Sequence, residues 1–107
     1  MTINEWIKDS SDCARDHGWF DNRSFGEHVS LMHAELSEAI EEYRKGRLLS
    51  EVYFNGEKPE GIPVELADVL IRIFAYCGQH DIDLNAALEV KSAYNQTRPY
   101  RHGNKVI

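Results

Sequence analysis

The sequence has few of the features that mark disulfide-rich scaffolds, secreted proteins or membrane proteins. Its 107 residues include two cysteines, too few for a disulfide framework. The longest apolar run, Val69 to Tyr76, is interrupted by Arg72 and is far shorter than the ~20 residues of a membrane-spanning helix. No basic segment followed by an apolar core opens the chain, as it would in a signal peptide. We therefore expect a cytoplasmic protein that does not enter a membrane.

Basic residues are also in the minority. The chain has 12 Lys and Arg against 18 Asp and Glu, which gives a formal net charge of -6. It therefore lacks the clustered cations of a protein that binds nucleic-acid polymers non-specifically. A Gly-rich phosphate loop, a nucleophile elbow and a clustered Cys/His motif are absent as well. If the substrate is anionic, something must first neutralise the field of the protein itself.

Helical patterns occupy most of the chain. They predict four helices, which run from Thr2 to near Gly18, from Ser24 to about Gly46, from Pro63 to near Gly78 and from Asp83 towards Pro99. Between the second and third helices, residues 47–62 lose the periodicity, and Asn55-Gly56 favours a short hairpin. We expect residues 1–107 to form one all-α domain with a polar tail at 101–107. Because the third helix is apolar on most sides, dimerisation should complete the four-helix bundle.

The second helix combines an apolar stripe with several acids. The stripe recurs at spacings of three and four, and it comprises Phe25, Val29, Met32, Leu36, Ile40 and Tyr43. At about 100° per residue, Glu35 and Glu42 lie beside this stripe and Glu38 lies further round. If the stripe packs on the core, Glu35 is held at the core's edge.

Two acidic pairs with the same spacing are the main candidate site. Glu35 and Glu38 lie three residues apart in ELSE, and Glu65 and Asp68 repeat that spacing in ELAD. The first pair alone is more often a solvated helix face, and the second could be acids that favour the helix N-terminus. However, an unpaired carboxylate in so apolar a helix is costly. If the two helices pack together, four carboxylates converge, as Mg²⁺ or Mn²⁺ prefers.

A polar face on the fourth helix supplies candidate phosphate contacts. Lys91, Asn95 and Arg98 are spaced by four and three residues, so one face presents two cations and an amide. The same residues would also suit an exposed basic helix end.

These motifs together resemble the MazG-like, all-α nucleoside triphosphate pyrophosphohydrolase superfamily. The resemblance rests on ELSE, ELAD and KSAYNQTRP and spans about residues 24–100. It implies hydrolysis of a nucleoside triphosphate to the monophosphate and pyrophosphate by attack of water on the α-phosphorus. It also implies a helical MazG-like subunit that forms a homodimer or homotetramer.

The resemblance assigns roles to particular residues. It implies that Mg²⁺, with Mn²⁺ as a substitute, is bound by Glu35, Glu38, Glu65 and Asp68, and that the phosphate contacts are Lys91, Asn95 and Arg98. Many relatives have glutamate where this chain has Ala34, so the base stays open among Glu38, Glu41 and Glu42; Glu38 and Glu42 are our catalytic candidates. His28, two turns before Glu35, is a further substrate contact. Candidates for stacking on the nucleobase are Trp6, Trp19, Phe20, Phe25, Tyr53 and Phe54.

Two other functions remain open at this stage. Phosphoribosyl-ATP pyrophosphohydrolase performs nearly the same chemistry on a different substrate. A non-enzymatic helical interaction module would instead leave its acidic faces solvated and use its apolar third helix to form a dimer.

Overall fold

The computed structural model describes residues 1–19 and 22–100. Over these ranges the chain forms α1 (Ile3–Asp16), α2 (Phe25–Arg44), β1 (Tyr53–Asn55), β2 (Lys58–Glu60), α3 (Ile62–Gln79) and α4 (Leu84–Gln96). The expectation of an all-α chain with four helices is confirmed, and one two-stranded hairpin accompanies them in the described residues. The predicted polar tail at 101–107 lies outside the described residues.

Local side-chain contacts fix the helix starts that the sequence predicts. The amide of Glu5 donates to Thr2 Oγ1 at 3.1 Å, and the Thr2 amide donates to Glu5 Oε1 at 3.0 Å. Ser24 and Glu27 form the same reciprocal capping box at α2. Asp83 caps α4 by accepting from the amide of Ala86 at 3.0 Å. Each cap satisfies backbone amides that have no partner within the helix.

The predicted hairpin between α2 and α3 is also confirmed. β1 and β2 pair antiparallel, with Tyr53 opposite Glu60 and Asn55 opposite Lys58. The chain enters α3 through Gly61, which has φ +124°. A Cβ atom there would lie 2.3 Å from the carbonyl oxygen of Glu51, so only glycine fits this turn.

α3 is the central helix and packs against both α1 and α2. Among the described residues, the buried apolar side chains are Ala14, Ile62, Phe74 and Cys77. α1 approaches α3 closely through buried Ser10 and Ser11. At Gly78 of α3, an added Cβ would lie 2.5 Å from the Cβ of Ser11. The contact therefore depends on small residues on both helices.

α2 meets α3 through a different face from the one that its apolar stripe predicts. In the stripe, Leu36 is 42% exposed, Ile40 58% and Tyr43 64%. The half-buried or buried positions include Glu35 and Glu42. Glu35, which we expected at the edge of the core, therefore lies on the packed face together with Glu42. Polar partners make this orientation favourable, since α3 and the hairpin hydrogen-bond to these two carboxylates.

α3 is also less covered than its sequence predicts. Leu66 is 46% exposed, Leu70 51% and Ile71 43%. α1 and α2 cover only part of its circumference, so apolar surface remains on this helix as well as on α2. None of the helices in the described ranges combines the length and apolar character that crossing a membrane requires.

Candidate metal centre

Carboxylates from α2 and α3 meet between the two helices. Glu35, Glu38 and Glu65 each place one carboxylate oxygen within 4.8 Å of the other two. Two oxygens bound to one Mg²⁺ lie up to about 4.2 Å apart, because each Mg–O distance is about 2.1 Å. Small side-chain movements would therefore let one ion contact all three carboxylates.

Asp68, the fourth predicted ligand, lies one turn after Glu65 on α3. Burial raises the pKa of its carboxyl, and the negative charges of Glu35 and Glu38 raise it further, while Arg72 lowers it. Asp68 and Glu35 also line one cavity. The structure thus brings three predicted ligands together and places the fourth in the same electrostatic neighbourhood.

Glu65 has the most perturbed carboxyl of the group. Burial, followed by its contact with Glu38, raises the pKa of Glu65 to about 7. Its Oε2 atom is buried and has no hydrogen-bond partner. An orphaned buried oxygen is unfavourable, and either a proton or a cation would satisfy it. This all-oxygen donor set fits a hard divalent ion such as Mg²⁺ or Mn²⁺.

Arg72 belongs to the same group, although sequence reasoning did not include it. Its Nε donates to Glu35 Oε1 at 2.9 Å, and the Glu35 side chain is 13% exposed. The sequence does contain a feature that could have identified Arg72. Arg72 is the only charged residue in the apolar run Val69 to Tyr76, and it lies one helical turn after Asp68.

A cavity of about 570 Å³ lies beside the carboxylates. Its walls come from α1, the segment after it, α2 and α3, and they include Trp19, Arg23, His28, Tyr76 and Gln79. His28, a predicted substrate contact, packs its ring 5.0 Å from that of Tyr76. Tyr76 is a wall residue that sequence reasoning missed, although it is an aromatic residue two turns after Asp68. The cavity therefore combines aromatic rings, cations and an amide next to the acids.

Only some of the aromatic residues expected to stack on a nucleobase lie at or near the cavity. Trp19 lines the cavity, and Phe25 lies 5.5 Å from the ring of Tyr76. Among the described residues, Trp6, Tyr53 and Phe54 do not line the cavity. Phe20 lies outside the described residues.

Glu42, predicted as a catalytic candidate, makes a contact of its own. Its side chain is buried, and its Oε2 accepts from the hydroxyl of Tyr53 at 2.7 Å. This hydrogen bond raises the pKa of Tyr53 to about 12, because removing the phenolic proton would place two negative charges together. Arg47 lies over the Tyr53 ring, 3.7 Å from its centroid. The contact joins α2 to the hairpin.

The predicted phosphate contacts lie on a different part of the molecule. Lys91 and Asn95 are exposed on α4, and Arg98 is exposed two residues after the helix ends at Gln96. α4 packs against α1. Among the described residues, no α4 side chain lines the cavity. The cations that do line it are Arg23 and Arg72.

Comparison of the chain with protein-family models, curated proteins and solved structures finds no match in any of the three.

Proposed function

We propose that this protein is a divalent-metal-dependent nucleotide pyrophosphohydrolase that cleaves a nucleoside triphosphate to the monophosphate and pyrophosphate. The observation that carries the proposal is the convergence of Glu35, Glu38 and Glu65 within 4.8 Å. A fold that brings three carboxylates together must offset their repulsion, and a bound cation does so directly. The open cavity beside them leaves room for a substrate.

In this proposal, one group of residues binds the metal ion and another binds the nucleoside. The carboxylates, with Asp68, would bind Mg²⁺, which when present supplies charge neutralisation for the triphosphate and a lowered pKa for the attacking water. In the cavity, Trp19, His28 and Tyr76 are lining residues that would contact the nucleoside. Their position next to the acids would orient the α-phosphorus towards the water.

The structure favours Glu38 over Glu42 as the group that accepts a proton from water. Glu38 is exposed and belongs to the three-carboxylate group. Glu42 is buried, and one of its oxygens already accepts from Tyr53. A general base must reach the water that it deprotonates, and exposed Glu38 meets that requirement.

Substitution of the proposed ligands tests the function directly. Glu38→Gln and Asp68→Asn should each lower kcat/KM by at least about 100-fold, because each removes a charge needed for metal binding or proton transfer. The assay is release of pyrophosphate and of orthophosphate from standard and modified ribo- and deoxyribonucleotides with Mg²⁺.

Glu57→Gln is the matched control, since Glu57 is exposed in the hairpin turn and distant in sequence from both acidic motifs. It should retain the activity of the unmodified chain. Orthophosphate as the sole product would contradict attack at the α-phosphorus. Activity retained by both ligand variants, with unchanged circular dichroism, would refute the site.

We further propose that the active form is a homodimer or a larger homo-oligomer. The exposed stripe on α2 and the exposed leucines of α3 supply apolar surface that a second copy would cover. Assembly also offers a way for two cations, Lys91 on α4 and Arg98 after its end, to approach the acids of another copy.

The alternative functions make different predictions. The exposed apolar stripe is also what a non-enzymatic interaction module would have, but such a module gains no stability from Mg²⁺. A phosphoribosyl-ATP pyrophosphohydrolase would gain stability from Mg²⁺ but would cleave phosphoribosyl-ATP in preference to every nucleoside triphosphate in the panel.

A further inference from the structure

Arg72 and Glu35 form an ion pair that joins α2 to α3. The two residues are 37 positions apart in sequence, and Nε of Arg72 donates to Oε1 of Glu35 at 2.9 Å. The Glu35 side chain is 13% exposed and that of Arg72 is 39% exposed. Both side chains line the cavity beside the carboxylates.

The position of Glu35 needs a physical explanation. Glu38 and Glu65 lie within 4.8 Å of it, so repulsion between carboxylates would move Glu35 away unless something held it. A glutamate side chain has three rotatable bonds, and holding it in one conformation costs entropy. A charge-assisted hydrogen bond from the planar guanidinium offsets both effects and fixes the direction of the carboxylate.

The bond to Arg72 still leaves Glu35 able to bind a cation. An ionised carboxylate has two oxygens and about four acceptor positions, and the hydrogen bond from Nε uses one of them. Metal-binding carboxylates are commonly oriented by hydrogen bonds of this kind from outside the ligand set. Arg72 has the position and geometry for that role.

We propose that Arg72 is a positioning residue, which holds the Glu35 carboxylate against the repulsion of Glu38 and Glu65 so that the three can bind one divalent cation. This inference rests on the proposed metal site. It assigns Arg72 no contact with the reacting atoms.

Positioning and simple electrostatics predict opposite results, which makes the proposal testable. A positive charge beside a cation site repels the cation, so electrostatics alone predicts that removing Arg72 tightens metal binding. Loss of positioning predicts that the same change weakens metal binding, because Glu35 leaves its binding conformation. The sign of the change therefore separates the two roles.

The experiment measures Mn²⁺ affinity of the nucleotide-free full chain by electron paramagnetic resonance or titration calorimetry. Arg72→Met keeps much of the side-chain length and removes the charge and the donors. We expect about 10-fold weaker Mn²⁺ binding, at the lower end of the 10–100-fold effect of such outer residues. Arg72→Lys, which retains a cation and a donor but not the planar fork, should recover part of the loss. Unchanged or tighter binding in Arg72→Met overturns the proposal.

Two further variants test whether Arg72 acts through Glu35 and not elsewhere. Glu35→Gln should weaken Mn²⁺ binding, and adding Arg72→Met to it should cause no further loss. An additive loss in the double variant overturns the proposal. Arg47→Met is the matched control, because Arg47 pairs with Glu51 at 3.2 Å and has the same 39% side-chain exposure as Arg72. It should leave the affinity unchanged.

The same measurements distinguish failure of the proposed metal site from failure of the proposed role of Arg72. If the unmodified chain binds no Mn²⁺, the proposed function and this inference both fail. If the unmodified chain binds Mn²⁺ and Glu35→Gln weakens that binding while Arg72→Met does not, only the role of Arg72 is overturned. Circular dichroism of each variant establishes that the helices are retained, and Arg72→Lys keeps the test decisive if Arg72→Met does not fold.

Discussion

At the scale of one residue, Glu65 is a carboxyl group that the fold holds in an electrostatically unfavourable position. Its carboxyl is held next to Glu38, and one of its oxygens is buried without a hydrogen-bond partner. Burial and the neighbouring acids raise its pKa from 4.5 to about 7. The protonated form is therefore compatible with the metal-free fold, whereas the ionised form destabilises it.

The stability of the metal-free protein should consequently depend on pH. Because the folded state binds the Glu65 proton more tightly than the unfolded state does, the stabilising effect is complete below pH 4.5 and is lost as the pH rises through about 7. We expect the melting temperature in EDTA to fall across this range, and Glu65→Gln should reduce the slope. Added Mg²⁺ should raise the melting temperature more at pH 8 than at pH 5, because the ion competes with the proton.

Thermal melts of the two proteins from pH 5 to 8, with EDTA or Mg²⁺, provide the measurement. Asp68 contributes with the same sign, since burial and Glu35 raise its pKa. Glu65→Gln should therefore flatten the curve without abolishing its slope. Identical slopes for the variant and the unmodified chain would rule out Glu65 as the source of the pH dependence.

At the scale of elements, the contact between α1 and α3 positions one wall of the cavity. Gly78 of α3 faces Ser11 and Ile7 of α1, and a Cβ atom there would lie 2.5 Å from the Cβ of Ser11. This distance is shorter than any real side-chain contact, so the helices would have to separate to accept even alanine. The close approach keeps Ser10 and Cys13 of α1 at the cavity.

Gly78→Ala should therefore destabilise the protein even though alanine favours helices. We expect a loss of about 1–3 kcal/mol from overpacking. Each 1 kcal/mol corresponds to ~4–8 °C in the melting temperature of a domain of this size.

Gly26→Ala is the matched control on α2, where the nearest atom to an added Cβ is Ser24 Oγ at 3.9 Å. The control should be neutral or stabilising by up to ~1 kcal/mol. A melting temperature for Gly78→Ala equal to that of Gly26→Ala would show that α1 and α3 adjust without cost.

At the scale of the whole molecule, the distribution of apolar surface is the main feature. The buried apolar residues of the described chain number four, while Leu36, Ile40 and Tyr43 on α2 are between 42% and 64% exposed. Polar contacts, including the pair of Glu35 with Arg72, occupy the face of α2 that packs on α3. A single chain therefore leaves much of its most regular apolar stripe in water, although Val29 and Met32 are half-buried. This exposure is unfavourable unless another surface covers it.

Ile40→Asp should disrupt the proposed assembly. An aspartate in the middle of a covered apolar stripe would be buried without a partner, so we expect association to weaken by at least about 100-fold, or ~2.7 kcal/mol. Sedimentation and light scattering at several concentrations provide the measurement. Ser37→Asp adds the same charge to the same helix, about 100° round from Leu36, and should leave the assembly intact. A stable monomer for the unmodified chain would contradict the proposal.

The sequence by itself determined the secondary structure, because the signals for it are local. Thr2 with Glu5 and Ser24 with Glu27 act over one helical turn, and Asn55-Gly56 acts over one hairpin. The spacing of the acidic residues is equally local. It identifies Glu35, Glu38, Glu65 and Asp68 as candidate ligands without any distance between the helices.

Only the tertiary structure decided how the helices are rotated and which distant residues meet. Periodicity shows that α2 has an apolar stripe, but it does not specify whether this chain or another covers it. The contacts of Arg72 with Glu35 and of Tyr53 with Glu42 join residues 37 and 11 positions apart, and the cavity wall at Tyr76 depends on how three helices pack. Such contacts arise from the balance of packing and polar pairing over the whole chain, which no local pattern encodes.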